Sequence, residues 1–215
     1  GGIPEKDGIQ YLHWFTSHNL VKMIGVVLMG GKSSRMGTDK AFLKWDNKPL
    51  YLHCAELLNE IFDEVYLSVN DAQIPLLTTD LPVIADSFPA TGPVGAMVSC
   101  YRHLGSSVFF LSCDLPLITS ADVSYLIKKL DEAGGCSMYF NESRACYEPV
   151  CSAWDLTFLE DLETYFCEGN RALQQFLKQR ATAKLHPLNT DRLKNINTPD
   201  DYEMLNKIFV TVKQS

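Results

Sequence analysis

The chain has 215 residues, of which 46% are hydrophobic and 21% are charged, and its formal net charge is −7. This composition is typical of a globular protein with a sizeable core, and the length fits one large domain or two small ones. The acidic balance argues against broad binding to nucleic acid, and no apolar run reaches membrane-spanning length, so we expect neither nucleic acid nor a membrane as a partner.

The seven cysteines indicate a reducing compartment. Their number is odd, no Cys-x-x-Cys pair occurs, and most of them lie among apolar residues, as buried free thiols do. No secretory signal is visible. We therefore expect a cytoplasmic protein.

The predicted fold begins near Met23. Residues 1–22 show no pattern that matches the rest of the chain, so we predict an N-terminal extension or tag over 1–22 and a single domain over 23–215. Ile24 to Met29 form an apolar, partly β-branched run beside glycine. Such a run predicts a fully buried strand.

The segment after this strand, residues 30–37, is small, polar and cationic. Its glycines permit close backbone approach, and Lys32, Arg35 and Lys40 supply three positive charges. A loop of this kind presents backbone N–H groups to an anion, so we predict a polyphosphate site. The spacing fits neither the Walker loop nor the dinucleotide-binding fingerprint. An ordinary glycine-rich turn between a strand and a helix is the alternative.

The remaining chain alternates between helical and strand patterns. Apolar periodicity predicts helices over 50–61, 119–130, 156–166 and 172–179, and a last helix beginning at Thr198-Pro199. Two prolines and two glycines predict a loop over 89–95, which leads into a further helix that reaches about His103. Short apolar runs predict strands over 65–69, 81–85, 108–113, 136–140, 145–153 and 183–188. The alternation predicts one α/β domain with a mostly parallel sheet and helices on both faces. The run at 108–113 is the best candidate for the sheet centre, and the hairpin after it predicts a mixed edge.

Polar residues end the predicted strands, at the edge where such sheets bind ligands. They are Ser68, Asn70, Asp86 and Asp114. A carboxylate beside a triphosphate is repulsive unless a cation lies between them, and Mg²⁺ binds one or two carboxylates plus phosphate oxygens. We therefore predict that Asp114 holds Mg²⁺. A turn-capping aspartate is the alternative.

Several of these segments resemble the molybdenum cofactor guanylyltransferase family of nucleotidyltransferases. The loop reads Leu28-Met29-Gly30-Gly31, then Ser34-Arg35-Met36-Gly37 and Asp39-Lys40, where the family has Leu-Ala-Gly-Gly, Arg-Met-Gly and Asp-Lys. Met29 replaces the usual alanine. Cys113-Asp114-Leu115-Pro116 is similar to the family's metal-binding segment, and the segments 83–87, 92–96 and 195–199 also match.

The resemblance implies a Rossmann-like nucleotide-diphospho-sugar transferase fold and transfer of GMP from GTP to molybdenum-bound molybdopterin, with Mg²⁺ as cofactor. It implies catalytic roles for Arg35, Lys40 and Asp114 and metal ligation by Asp114 and Asn197. It places the pterin near Arg171 and Asn195, and the Tyr147-Glu148-Pro149 segment beside it, although the family often has a different residue before that proline. The implied nucleotide-binding residues are Leu28, Met29, Gly30, Gly31, Lys32, Ser33, Lys40, Ser68, Asn70, Asp86, Gly92, Pro93, Gly95 and Asp114.

Alternatives remain for two segments and for the function. Asp86 could belong to a helix-capping segment, and Asn197 or Thr198 could cap the last helix. The same site could serve CTP or a sugar phosphate as substrate. A carrier that binds GTP and molybdopterin without catalysis is the alternative from another class, and proteins that mature molybdoenzymes are further partners that the resemblance implies.

Overall fold

The structure, a computed structural model, describes residues 22–30, 39–180, 182–187 and 189–205. The predicted N-terminal extension lies outside these residues apart from Lys22. In the described ranges no helix is long and apolar enough to cross a membrane. Of the seven cysteines, all free, five are buried, Cys146 is half-buried and Cys167 is exposed.

A six-stranded mixed sheet forms the centre of the molecule. Its strands are β1 (Met23–Leu28), β4 (Val65–Val69), β5 (Val83–Ala85), β6 (Ser107–Ser112), β7 (Cys136–Asn141) and β8 (Cys146–Trp154). They lie in the order β5-β4-β1-β6-β8-β7. The first four in this order are parallel, and β8 runs antiparallel to both β6 and β7. The predicted parallel sheet with a mixed edge is confirmed.

Strand β6 occupies the middle of this sheet, as its sequence predicted. All six of its residues are buried, because neighbouring strands cover its edges and helices cover both faces. Phe109 and Leu111 pack into one core cluster, and Val108 and Phe110 pack into the other. This alternation follows from the two-residue period of a strand.

The helices lie on both faces of the sheet. The helices are α1 (Leu50–Asn59), α2 (Pro93–Leu104), α3 (Ser120–Lys129), α4 (Leu156–Cys167) and α5 (Leu173–Gln179), with short 3₁₀ turns at Lys40–Phe42, Ile74–Leu76 and Thr190–Leu193 and a helical segment over 199–205. Residues of α1 and α3 pack into the core on one face, and those of α2, α4 and α5 pack into the core on the other. The predicted two-sided layering is confirmed.

One local prediction differs from the structure, and one local feature was not predicted. The late strand predicted over 183–188 was wrong in its described part, where a single bridge pairs Leu185 with Tyr139. Pro187 comes soon after and has no N–H to extend a ladder. A small hairpin, β2 (Lys44–Trp45) and β3 (Lys48–Pro49), was not predicted. Its turn residues Asp46 and Asn47 both have positive φ, which suits a tight hairpin turn.

Candidate active site

A row of polar residues crosses the carboxyl edge of the parallel strands. The ladders pair Leu28 with Ser68 and Ser112, Val69 with Ala85, and Leu111 with Cys151. If the same pairing is extended beyond the last paired residues of β5, β4, β1, β6 and β8, one residue from each of these five strands falls in a row. The aligned residues are Asp86, Asn70, Gly30, Asp114 and Glu148. Asp114 itself lies in the turn that follows β6, where Leu115 N donates to Ser112 O at 3.2 Å.

Asp114 is fixed by its backbone, while part of its carboxylate is left without a partner. Its carbonyl accepts a hydrogen bond from Ile196 N at 2.9 Å. Its Oδ1 is buried and has no hydrogen-bond partner among the described residues. Burial raises the pKa of the Asp114 carboxyl, and the Ser112 hydroxyl and the Lys40 ammonium oppose that rise. A buried carboxylate oxygen without a hydrogen-bond partner lowers the stability of the folded protein unless a ligand binds it.

The segment around Asn195–Asn197 closes over this carboxylate. Ile196 ties it to Asp114, and Lys40 Nζ donates to Asn197 Oδ1 at 2.6 Å. The side-chain oxygen of Asn195 is buried and, within the described part of the chain, unpartnered. Lys40, Asp114 and the two asparagines are thus brought to one place from three distant parts of the sequence.

The same segment also begins the last helix. Asp201 N donates to Thr198 Oγ1 at 3.2 Å, and Thr198 N donates back to Asp201 Oδ2 at 2.8 Å. This reciprocal pair caps the helical segment 199–205. The two interpretations of this stretch are compatible, because Thr198 serves the cap while the Asn197 side chain reaches Lys40.

The oxygens near Asp114 suit a hard divalent cation. Asp114 and Asn195 each offer a buried oxygen without a partner among the described residues, and carboxylate and amide oxygens are the donors that Mg²⁺ prefers. No group of three His, Cys, Asp or Glu side chains with metal-binding geometry occurs in the described residues. A cation here would therefore complete its coordination with substrate oxygens and water.

At the other end of the row, Asp86 joins the loop that precedes α2 to the body of that helix. Its Oδ1 accepts from Phe88 N at 2.8 Å and from Ser99 Oγ at 3.2 Å. Gly95 lies in the first turn of α2, where a Cβ would come within 1.8 Å of Thr91 Oγ1. Gly92, with φ of 71°, and Pro93 form the N-terminal end of the helix. The loop before α2 and the N-terminal end of α2 therefore contain the segment that the sequence analysis assigned to the nucleotide base.

The end of β1 is buried, and its backbone is engaged. Leu28 and Met29 are 5% and 1% exposed. Met29 N donates to Ser68 O at 2.9 Å, and Leu28 O accepts from Cys113 N at 3.1 Å. The Ser68 hydroxyl lies against the buried thiol of Cys100. Nucleotide contacts of these residues, and of Gly30, stay predictions.

The predicted residues Gly31, Lys32, Ser33 and Arg35 lie outside the described residues. Arg171 is described, and its guanidinium stacks 3.7 Å from the centre of the Phe166 ring. It also donates to Phe166 O at 2.7 Å, which caps the end of α4. The structure thus shows a local role for Arg171, and its contact with a pterin stays a prediction.

Comparisons with known proteins assign the family. The model of the MobA-like NTP transferase domain matches residues 25–185. A molybdenum cofactor guanylyltransferase from Syntrophotalea carbinolica is 30% identical, with 83% of this chain and 88% of the relative covered. A probable molybdenum cofactor guanylyltransferase from Carboxydothermus hydrogenoformans is 29% identical over 85% of this chain and 94% of the relative. The chain therefore belongs to the MobA-like NTP transferase family, which matches most of its length.

A solved structure supports the fold of this nucleotidyltransferase. The molybdopterin-guanine dinucleotide biosynthesis protein A of Archaeoglobus fulgidus superposes with a TM-score of 0.72 at 20% identity, covering 88% of this chain and all of that one. The predicted resemblance is therefore confirmed, and the polar row lies on the fold of an enzyme that transfers nucleotidyl groups.

Sequence reasoning missed Gln73 in this guanylyltransferase-family site, and it missed the position of Glu148 relative to Asp114. Gln73 is 1% exposed and donates to Met29 O at 3.0 Å and to Asp39 Oδ2 at 2.7 Å. Glu148 is 7% exposed and stands opposite Asp114 in the row, and burial raises the pKa of its carboxyl. The resemblance places Glu148 beside the pterin and does not relate it to Asp114. A charged residue within the apolar strand β8 was the signal that could have drawn attention to it.

Proposed function

We propose that the protein transfers GMP from GTP to the terminal phosphate of molybdenum-bound molybdopterin and releases pyrophosphate. The observation that carries this proposal is the buried Asp114 carboxylate, whose Oδ1 lacks a partner among the described residues at the edge where the predicted phosphate-binding segment begins. The names of the curated relatives, molybdenum cofactor guanylyltransferases, support the choice of substrates.

The reaction requires the protein to align two anions, the acceptor phosphate and GTP. An oxygen of the acceptor phosphate forms a bond to the α-phosphorus of GTP. The bond from that phosphorus to the oxygen bridging to the β-phosphate breaks, and its electron pair leaves with pyrophosphate. The acceptor phosphate is ionised near neutral pH, so no general base is required. Positioning and charge compensation supply the rate acceleration.

Lys40 and the residues around Asp114 would perform this work. The Lys40 ammonium, held by Asn197 at 2.6 Å, would contact the phosphates and offset their charge. Asp114, with an amide oxygen of Asn195 or Asn197, would hold Mg²⁺. When bound, the ion would compensate charge on the transferred group and on the leaving pyrophosphate.

The two ends of the polar row would receive different parts of the substrates. The segment from Asp86 to Gly95 would face guanine, because its backbone groups can discriminate hydrogen-bonding edges of a base. The pterin would lie toward Glu148 and Arg171. Free and mostly buried cysteine thiols are typical of a reducing compartment, so we place the reaction in the cytoplasm. There, maturation proteins of molybdoenzymes would take up the product.

A nucleotide panel with Mg²⁺ tests the proposal. GTP should raise the melting temperature more than ATP, CTP or UTP, since a ligand at a hundred times its dissociation constant adds about 2.7 kcal/mol. Pyrophosphate should appear when GTP and molybdenum-loaded molybdopterin are both present. A larger shift with CTP would replace GTP in the proposal, and GTP binding without pyrophosphate release would favour the carrier.

A further inference from the structure

A buried glutamine lies where β1 and β4 end. Gln73 precedes the 3₁₀ turn Ile74–Leu76 and is 1% exposed. Glutamine is seldom fully buried, and a buried amide is costly unless its donors and acceptor find partners. The surroundings of Gln73 therefore need to supply several hydrogen bonds.

The Gln73 amide makes hydrogen bonds to three different segments. Its Oε1 accepts from Asn70 N at 3.0 Å, and its Nε2 donates to Met29 O at 3.0 Å and to Asp39 Oδ2 at 2.7 Å. These partners also fix which end of the amide is oxygen, because the reversed orientation would set N–H against N–H and oxygen against two acceptors.

Asp39 transmits this constraint to the turn that carries Lys40. Its other oxygen, Oδ1, accepts from Ala41 N at 3.1 Å and caps the 3₁₀ turn Lys40–Phe42. Ala41 is fully buried, so the turn is fixed on the core side as well. The Lys40 side chain then reaches Asn197. A continuous series of contacts thus joins Gln73 to the cation of the site.

We infer that Gln73 is a positioning residue for nucleotidyl transfer, which joins the end of β1 to Asp39 and thereby sets where Lys40 presents its ammonium group. Met29 and Asp39 flank the predicted phosphate-binding segment, so one amide fixes the two points between which that segment runs. The inference rests on the proposed contact of Lys40 with the phosphates. The inference means that transfer requires the Gln73 amide in addition to the loop motif and the metal-binding aspartate.

Gln73→Met tests the role of the amide. Methionine keeps the length of the side chain and removes all three of its hydrogen bonds. We expect a folded protein with a lowered melting temperature and a kcat/KM for GTP that falls about 100-fold, the size of effect that a displacement near 1 Å produces. Ser137→Ala is the matched control, because the Ser137 hydroxyl is fully buried and donates to Leu126 O at 2.6 Å, at the opposite edge of the sheet. It should lower the melting temperature and leave kcat/KM unchanged.

A reversal of the bond tests whether Gln73 acts through Asp39. Gln73→Glu places a second carboxylate beside that of Asp39 and should reduce kcat/KM more than Gln73→Met does. In the double variant Asp39→Asn/Gln73→Glu, the new amide at position 39 donates to the new carboxylate at position 73, and the total charge equals that of the wild type. The bond to Met29 O stays lost, because a carboxylate has no donor, so the recovery is partial. We expect the double variant to recover at least tenfold of the activity lost in Gln73→Glu.

Full activity of Gln73→Met, or no recovery in the double variant, would overturn the inference. The dissociation constant of GTP with Mg²⁺ is measured for the same proteins without acceptor. If the wild type released no pyrophosphate, the proposed function would fail, while weaker GTP binding by Gln73→Met, restored by the reversed pair and unaffected by Ser137→Ala, would still support the role of Gln73.

Discussion

Two aspartates that follow β6 in the chain, Asp122 and Asp114, have opposite hydrogen-bonding environments. Asp122 is 4% exposed, yet its carboxylate accepts hydrogen bonds from Thr119 N at 3.0 Å and from Tyr139 Oη at 3.3 Å, and Arg192 approaches within 3.1 Å. Asp114 has a buried Oδ1 with no partner in the described part of the chain. A satisfied carboxylate stabilises a fold, whereas an unsatisfied one is retained at a cost. The contrast separates a structural aspartate from one available to a ligand.

Replacement of Asp114 should have the largest effect on activity. Asp114→Asn preserves size and removes charge, so we expect kcat/KM to fall about 100-fold or more, as when a group that stabilises the transition state is lost. GTP should still bind, and without Mg²⁺ it should bind better, because a repulsive charge is gone. Pyrophosphate release and GTP titrations with and without Mg²⁺ measure these effects. Near-normal turnover would contradict the metal assignment, and a variant that fails to fold would show a structural role.

Replacement of Asp122 should have the opposite profile. Asp122→Asn leaves Arg192 without its counter-charge and weakens the cap of α3, so we expect a loss of about 2 kcal/mol in the free energy of unfolding. Activity per folded molecule should not change, because the pair lies outside the polar row. Urea unfolding and pyrophosphate release on the same samples check both. A fall in kcat without a fall in stability would contradict the comparison.

The sequence predicted the parts of the site that local patterns encode. Asp114 is predicted at the sheet edge because it directly follows a strongly apolar strand, and Lys40 is predicted there because it follows the glycine-rich segment 30–37. Both expectations depend on neighbours in the sequence, and the structure places both residues at that edge.

Gln73, and the position of Glu148 opposite Asp114, were not predicted because both depend on non-local contacts. The burial of Gln73 depends on Met29 and Asp39, which lie more than thirty positions away in the chain. The position of Glu148 opposite Asp114 depends on the register between β6 and β8. A pattern can predict that two strands form, but their register is set by core packing across the whole sheet.

The smallest effect concerns pH and the neighbouring carboxylates of the row. Burial raises the pKa of both Asp114 and Glu148, and the charge of Asp114 adds to the rise at Glu148. Over the pH range between the ordinary carboxyl pKa and these raised values, the folded state binds more protons than the unfolded state. Stability therefore falls as pH rises through that range, by at most about 1.4 kcal/mol per pH unit for each group.

Asp114→Asn should flatten this decline and also lower the pKa of Glu148, and Asp114→Asn/Glu148→Gln should flatten the decline further. Urea unfolding across acidic pH and a carboxyl-carbon NMR titration of Glu148 measure the two effects. Asp201→Asn is a control of opposite sign, because backbone N–H groups of Asn197 and Thr198 lower the pKa of Asp201 and its contribution is lost as pH falls. Identical pH profiles for the wild type and Asp114→Asn would mean that the Asp114 carboxylate is not held in an unfavourable state. The distinction between Asp114 and Asp122 would then have to rest on their hydrogen-bond partners and not on the cost of ionisation.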